Sequence, residues 1–533
     1  MKRQNKKKHG LMIGLALVIF HLPVFTSCDD YLDKMPDNRT EIDNEEKIGD
    51  VLVSAYPTTH YAVIAEMMSD NTDENAGNYT TINKLQEEMY RWQDATFEDL
   101  DSPFMLWEAS YKAIVSANTA LAAIEEKGNP ASLDAERGEA LMCRAYNHFV
   151  LVNIFCKHYS PKTSTTDMGI PYTKEIETTV APHYERGTVA EVYENIRQDI
   201  ETALPLINDA SYEVPKYQFN RKAANAFAAR FWLYYVQPDK SNYRKVIDYA
   251  TEVLTENPVS MLRDWATVGA LTPNNNVRPN EFIQAEHNAN LMMYSTYSLW
   301  ARYHGPYGIA EKYCHNPSIA QYESCRRASV WGAATQLHYT IPQYSGTPKV
   351  IMAKTGEYFE YTDVTQGIGY PHIMFLPFTS DEALLNRAEA YVMLEDYDHA
   401  LEDINTFTHN FTKFTGTVTE ATMNNVYGSK MKYYQPLPRK AATPKKELHP
   451  DFEVKEGTQE TFIHGLLHIR RILTLHEGLR WFDIKRYGIK IYRRTINTDN
   501  SVTLTDSLLV DDPRRAVQLP APVIKAGLPA NPR

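Results

Sequence analysis

The strongest constraint on the fold is a repeated helix–turn–helix pattern. AFAARFWLYYVQPDKSNYRKVIDYATEVL, Ala226 to Leu254, places Arg230 and Tyr234 on one apolar-periodic segment and Tyr243 early on the next. ALLNRAEAYVMLEDYDHALEDINTF, Ala383 to Phe407, repeats the theme with Arg387, Tyr391 and Tyr397. Apolar residues recurring in steps of three and four read as helix, and a short polar turn between two such runs folds them into an antiparallel pair. Earlier segments agree. FMLWEASYKAIVSANTALAAIEEKGNP stops at Gly128 and Pro130, and the run after Ser132 starts again toward Tyr159. TVAEVYENIRQDIETALPLI opens on Thr188 with Glu191 three residues on, a capping-box spacing. Pairs of this kind cannot bury their apolar faces alone, so they should stack on one another.

Between 272 and 378 the texture changes. Helical periodicity weakens, Pro and Gly become frequent, and eleven Tyr and two Trp fall between Tyr294 and Phe375. LTPNNNVRPN marks the entry with turn-forming residues. A long irregular segment in a large chain is usually functional. Short strands are expected inside it, at QLHYTIPQY and KVIMAK. YSTYSLWARYHGPYG, Tyr294 to Gly308, spaces its rings like a buried helix face but contains one Leu and no Ile or Val. The whole chain has 35 Tyr against 19 Phe. Rings with a polar tip suit wet binding surfaces.

The first segment is not part of the fold. MKRQNKKKHG is basic, LMIGLALVIFHLPVF is apolar and TSC closes it, the anatomy of a secretory leader. The apolar run falls short of the roughly twenty residues that span a bilayer. Cys28 follows small Thr26 and Ser27, a spacing similar to a lipoprotein processing site, although Phe25 stands where Leu is usual. Removing residues 1–27 removes five cations and takes the formal charge from -12 to -17. Such a surface repels nucleic acid. Cys143 and Cys156 on one helix would lie roughly 20 Å apart and could not bridge. The pairing of Cys314 with Cys325 stays open.

The C-terminal third carries a resemblance. RRILTLHEGLRWFDIKRYG, Arg470 to Gly488, resembles the signature helix of the SusD/RagB family of outer-membrane lipoproteins. DDPRRAVQLPAPVIKAGLPANP is similar to that family's closing segment, SCDDYLDKMPDNRTEI to its mature start, and EALMCRAYNHFVLVNIFCKHYS with the later GIPY to its helix and turn. The paired helices likewise resemble tetratricopeptide units. The resemblance implies a mainly α fold, in which tetratricopeptide-like pairs support an irregular ligand-binding half. The regions expected are a leader (1–27), an N-terminal helical region (28–271), the aromatic insert (272–378) and a C-terminal region (379–533). It also implies a lipid anchor on Cys28, an outer-membrane location facing the exterior, and a SusC-like TonB-dependent transporter as partner. The ligand would be an oligosaccharide or, as in some members, a peptide.

The residues then expected at ligand are Trp300 first, with Tyr297, Tyr303 and Trp331, while Tyr294 packs inside. MSDNTDENAGNY adds Asp70 and Asn71 as hydrogen-bonding groups and Tyr79 as a ring, and Trp92 follows. A sugar site pairs rings with such polar groups because a pyranose has an apolar face and polar edges. A calcium loop in the same stretch lacks the twelfth-position Glu. On the signature helix, Leu475, Leu479 and Phe482 should share one face, with Arg480, Asp483 and Arg486 pairing on another. HEGLR lacks the second His of a zinc helix, since Arg480 stands there. Neither Gly-x-Ser-x-Gly nor a phosphate-binding Gly loop is present, and no cofactor is expected. A surface glycan hydrolase is the enzyme alternative, but no spacing selects two of the 67 acids as a catalytic pair.

Overall fold

The helices form as their caps dictate. A computed structural model describes residues 45–79, 83–176, 183–274, 276–305 and 307–533. The leader and Cys28 lie outside the described residues. Helix α1 (Ala62–Met68) is buried on every side. Ser102 accepts the Met105 N–H and Pro103 sits in the first turn of α2 (Pro103–Glu126), which ends before Gly128 at φ +82°. Helix α3 (Asp134–Phe155) is buried along its whole length from Gly138 onward, because α2 and the following helix cover both sides. That following helix, α4 (Val189–Ala203), opens with the reciprocal Thr188–Glu191 capping box that the sequence spelled out.

The repeated pairs are α5 (Arg221–Tyr234) with α6 (Ser241–Leu254), and α7 (Ser380–Met393) with α8 (Tyr397–Phe411). Helix α6 packs on α7, so the pairs stack as repeats do. Their recurrent arginines are the ties between helices. Arg144 of α3 holds Asp199 of α4 at 2.7 Å, Arg230 of α5 holds Glu382 of α7, and Arg387 of α7 holds Asp403 of α8 at 2.7 Å. Each pair is buried and bidentate, the geometry that suits guanidinium.

Seven strands complete the described chain. β1 (Asp73–Asn75), β3 (Tyr313–Cys314), β6 (Ile491–Ile496) and β7 (Val502–Leu508) form one sheet in the order β3-β1-β6-β7. β2 (Asn290–Tyr297), β4 (Tyr358–Asp363) and β5 (Ile368–Thr379) form another in the order β2-β5-β4. The first sheet draws strands from the N-terminal, insert and C-terminal regions together, so those regions interlock and do not stand as separate modules.

Three local expectations are corrected. The stretch Tyr294 to Gly308 is not a helix: β2 runs to Tyr297, and only Trp300–Tyr303 makes a helical turn. QLHYTIPQY and KVIMAK form only isolated bridges, Leu337 with Thr412 and Gln343 with Val350. The signature segment is two helices, α9 (Thr458–Leu473) and α10 (Leu479–Arg486), broken at His476 (φ +72°) and Gly478 (φ +78°). A Cβ on Gly478 would lie 2.9 Å from the Ala62 Cα and the Ala65 Cβ, so close approach of α1 requires glycine there. Leu475, Leu479 and Phe482 are all buried, but from a turn and a helix rather than one helical face. Arg486 pairs with Asp483 at 3.3 Å as expected, whereas Arg480 reaches across to Asp70. Cys143, Cys156, Cys314 and Cys325 are free, buried thiols.

Candidate ligand-binding face

Most residues that composition pointed to lie inside the protein. Trp300 is 3% exposed and its Nε1 donates to the His476 carbonyl at 2.7 Å. Tyr303 is buried, with its hydroxyl accepting from Asn83 Nδ2 at 2.8 Å. Trp331 is buried beside Phe411. Trp92 is buried too, donates to the Met68 carbonyl at 3.0 Å and lies under the Arg493 guanidinium. Buried rings offer no plane to a ligand, which corrects the expectation for these four. The polar tips of Trp300, Tyr303 and Trp92 find internal partners, so a surplus of polar-tipped rings did not mean exposed rings.

Asp70 and Asn71 are corrected likewise. Asp70 accepts from Arg480 at 2.8 and 2.9 Å and pairs with Lys446 at 2.7 Å, and Asn71 Oδ1 accepts from Arg471 at 2.7 Å. Burial pushes the Asp70 carboxyl upward, but Arg471, Arg480 and Lys446 outweigh it and hold the group well below the carboxylate range. Neighbouring Asp73 pairs with Arg494 at 2.7 Å, yet burial prevails there and its value is raised. Asp70 and Asp73 are thus both held in buried ion pairs. Among the described residues, no three His, Cys, Asp or Glu side chains are grouped to hold a metal ion. Tyr79 is half-buried with its hydroxyl on the Ala76 carbonyl. Tyr294 is in the interior as expected, its hydroxyl 3.1 Å from that of Tyr146.

Tyr297, half-buried, belongs to a surface that the sequence reading did not assemble. In the β2-β5-β4 sheet, Ser295 lies opposite Met374, Tyr297 and Tyr358 both lie opposite His372, and Glu360 lies opposite Tyr370. Residues directly opposite in an antiparallel pair share a face. The reverse face sends Tyr294, Thr296, Ile373 and Phe375 into the core. The outward face therefore carries three tyrosines with an imidazole between them. Tyr358 is 42% and Tyr370 49% exposed.

These rings are held in place. Tyr358 stacks on His372 with centroids 5.6 Å apart and planes at 9°, and Tyr297 meets Tyr370 edge-on at 5.5 Å. The Tyr358 hydroxyl donates to Ser295 Oγ at 2.9 Å, Ser295 Oγ lies 3.1 Å from His372 Nδ1, and His372 Nε2 lies 2.7 Å from Glu360. At Ser295 and Met374 the face runs into a cleft of about 630 Å³, whose opposite wall includes Glu213, Val214, Gln218 and the half-exposed ring of Tyr217. The surface offers rigid rings for stacking and a carboxylate and hydroxyls for hydrogen bonds, with the buried His372 imidazole bracing Ser295 and Glu360 beneath. The signal for it was in the sequence: EYFEYTDVTQGIGY alternates side chains around a turn with Gly367 at φ +67°, a hairpin pattern.

Stacked tetratricopeptide-like pairs carrying a three-stranded sheet with an outward aromatic face define a helical-scaffold protein. Residues 30–233 match the SusD-like family model described as starch-binding and associating with the outer membrane. A SusD superfamily protein from Bacteroides vulgatus has the same fold, with TM-score 0.61, 18% identity, and 91% of this chain and 97% of that chain covered. One from Bacteroides thetaiotaomicron gives TM-score 0.56 at 18% identity, covering 91% and 98%. A SusD-like carbohydrate binding protein from Bacteroides vulgatus gives 0.55 at 14% identity, covering 86% and 89%. No curated protein matches the sequence. The family match covers residues 30–233, and the described chain shares the fold of these SusD superfamily structures.

Proposed function

We propose that the β2-β5-β4 face and its cleft bind a carbohydrate, and that the protein captures this ligand at the cell surface without cleaving it. The observation that carries the reading is the rigid set Tyr297, Tyr358 and Tyr370 on one face, interleaved with Ser295, Glu360 and His372. Rings cover the apolar face of a sugar while the polar groups take its hydroxyls. The names of the family and of one structural neighbour support a saccharide over other ligands. Tyr79 remains a candidate contact outside this face.

In this reading Cys28 carries lipid, the protein sits on the outer membrane facing the exterior, and a SusC-like TonB-dependent transporter receives the ligand. Among the described residues no helix is long and apolar enough to cross a membrane, which is compatible with a lipid anchor. The anchor is checked by mass spectrometry of membrane-extracted protein, where the mature N-terminus should be a diacylglyceryl Cys28 and Cys28→Ala should release the chain or leave it unprocessed.

The binding face is tested by calorimetry against panels of neutral oligosaccharides and of peptides. Tyr358→Ala should weaken the best saccharide by about 1–3 kcal/mol, by analogy with base–aromatic stacking, or roughly ten- to a hundredfold. Stability should change by no more than about 0.5 kcal/mol, since the ring is substantially exposed. Saccharide binding that survives both Tyr358→Ala and Tyr370→Ala moves the site elsewhere. Selective binding of peptides replaces the saccharide reading, and cleavage products in the cell favour a hydrolase.

A further inference from the structure

We propose that a second groove, where the β6–β7 turn meets the loop 437–440, takes the carboxylate or sulfate of an acidic saccharide. The groove has a volume of about 530 Å³ and is lined by Tyr322, Leu437, Arg439, Lys440, Asn500 and Ser501, among others. It shares no lining residue with the sheet face or its cleft.

The local charge is opposite to that of the whole. The chain carries a net -12, yet no acid falls between Glu420 and Glu447, while Lys430, Lys432, Arg439, Lys440, Lys445 and Lys446 all do. Two of these cations turn inward. Lys446 pairs with Asp70 and Glu323, and Lys445 lies over the Tyr433 ring. Lys430, Lys432 and Lys440 are exposed and Arg439 is half-buried.

Arg439 is pre-oriented by neutral partners. Its Nε donates to Ser318 Oγ at 2.6 Å, its Nη1 approaches Asn500 Oδ1 at 3.5 Å, and its guanidinium sits 5.8 Å from the Tyr322 ring centre. Among the described residues no carboxylate is paired with Arg439 or Lys440. Asp499, in the same turn, accepts the Ser501 N–H at 2.9 Å. A guanidinium with fixed orientation and unused donors is the group that recognises a planar carboxylate or a sulfate in two-pronged fashion. Tyr322 and Leu437 add apolar surface for the sugar ring, and Asn500 and Ser501 add hydrogen-bonding groups for hydroxyls. A bare phosphate or lipid headgroup would use the cations and leave the ring and the apolar wall idle.

Detergent-extracted full-length protein is titrated with a galacturonate hexamer, its methyl ester, a sulfated heparin hexamer and glycerol phosphate. The expected result is saturable binding of at least one acidic hexamer, and weaker binding of the methyl ester than of the free acid. Lys440→Gln and Arg439→Gln should each weaken it roughly ten- to a hundredfold, as for loss of one hydrogen bond to a charged group. Lys440 is solvent-exposed, so its variant stays folded if the Arg439 change perturbs the loop. Tyr358→Ala should leave acidic-hexamer binding unchanged, which separates this groove from the sheet face. The proposal is overturned if neither hexamer binds, if the methyl ester binds as well as the acid, if Lys440→Gln has no effect, or if glycerol phosphate alone binds.

Discussion

Trp300 shows how a single side chain changes its meaning with burial. Its indole N–H is satisfied by a backbone carbonyl and its ring meets the edges of His304 and His476. Trp300→Ala should therefore cost about 3–5 kcal/mol of stability, the range for large-to-small core changes. Thermal melting checks this, and a variant that melts like the wild type would return Trp300 to the surface. Tyr358 is the converse case. It sits on an edge strand, its hydroxyl is tied to Ser295, and its ring stays open to solvent. Both are large rings with a polar tip, and only the packing around them assigns one to the core and the other to the surface.

At the scale of elements, the break between α9 and α10 is the informative one. Residues 470 to 488 have the spacing of one continuous helix, and nothing local demands the interruption. The interruption comes from α1, which packs so closely on Gly478 that no side chain fits. Gly478→Ala should then cost about 1–3 kcal/mol, from a left-handed backbone with a Cβ and from the clash with Ala62 and Ala65. Urea denaturation measures this, and an unchanged midpoint would show that α1 can yield. The β4–β5 hairpin is the other decisive element. Its alternation was legible in EYFEYTD, but its pairing with β2, which creates the outward tyrosine face, joins residues more than sixty positions apart.

The whole molecule is tied together by buried ion networks that cross its sequence regions. Asp70 meets Arg480 and Lys446, Glu323 meets Arg494 at 2.6 Å, and Glu389 meets Arg470 at 2.5 Å and Arg486 at 2.6 Å. Removing one partner of such a pair leaves a buried charge and costs about 3–5 kcal/mol. Burial raises the Glu389 carboxyl, but Arg486 and Arg470 dominate and bring it from the usual 4.5 to about 2. A folded value below the unfolded one means that the stabilisation is complete above 4.5 and is lost as pH falls toward 2. Asp70 acts in the same direction, while Asp73, with its raised value, opposes it. Melting curves across this range should show a steep acid limb. Glu389→Gln should be less stable near neutral pH and should lose part of that limb, and an unaltered pH profile would remove Glu389 from the account.

Local sequence determined the helices, the Thr188–Glu191 cap, the stacked pairs and the aromatic character of the insert, because caps and apolar periodicity act within a few residues. It also marked Arg230 and Arg387 as recurrent, though not their acidic partners. The tertiary structure decided which rings are exposed, where Asp70 and Arg480 meet, and why Gly478 must be glycine. These depend on contacts between segments hundreds of residues apart, and no spacing rule records them. Trp300, Trp331, Tyr303 and Trp92 looked like ligand contacts because composition cannot tell a satisfied buried hydroxyl or indole from an exposed one. Tyr358 and Tyr370 became a surface only when β5 paired with both β2 and β4, since strand register, and not residue type, sets which face a side chain occupies.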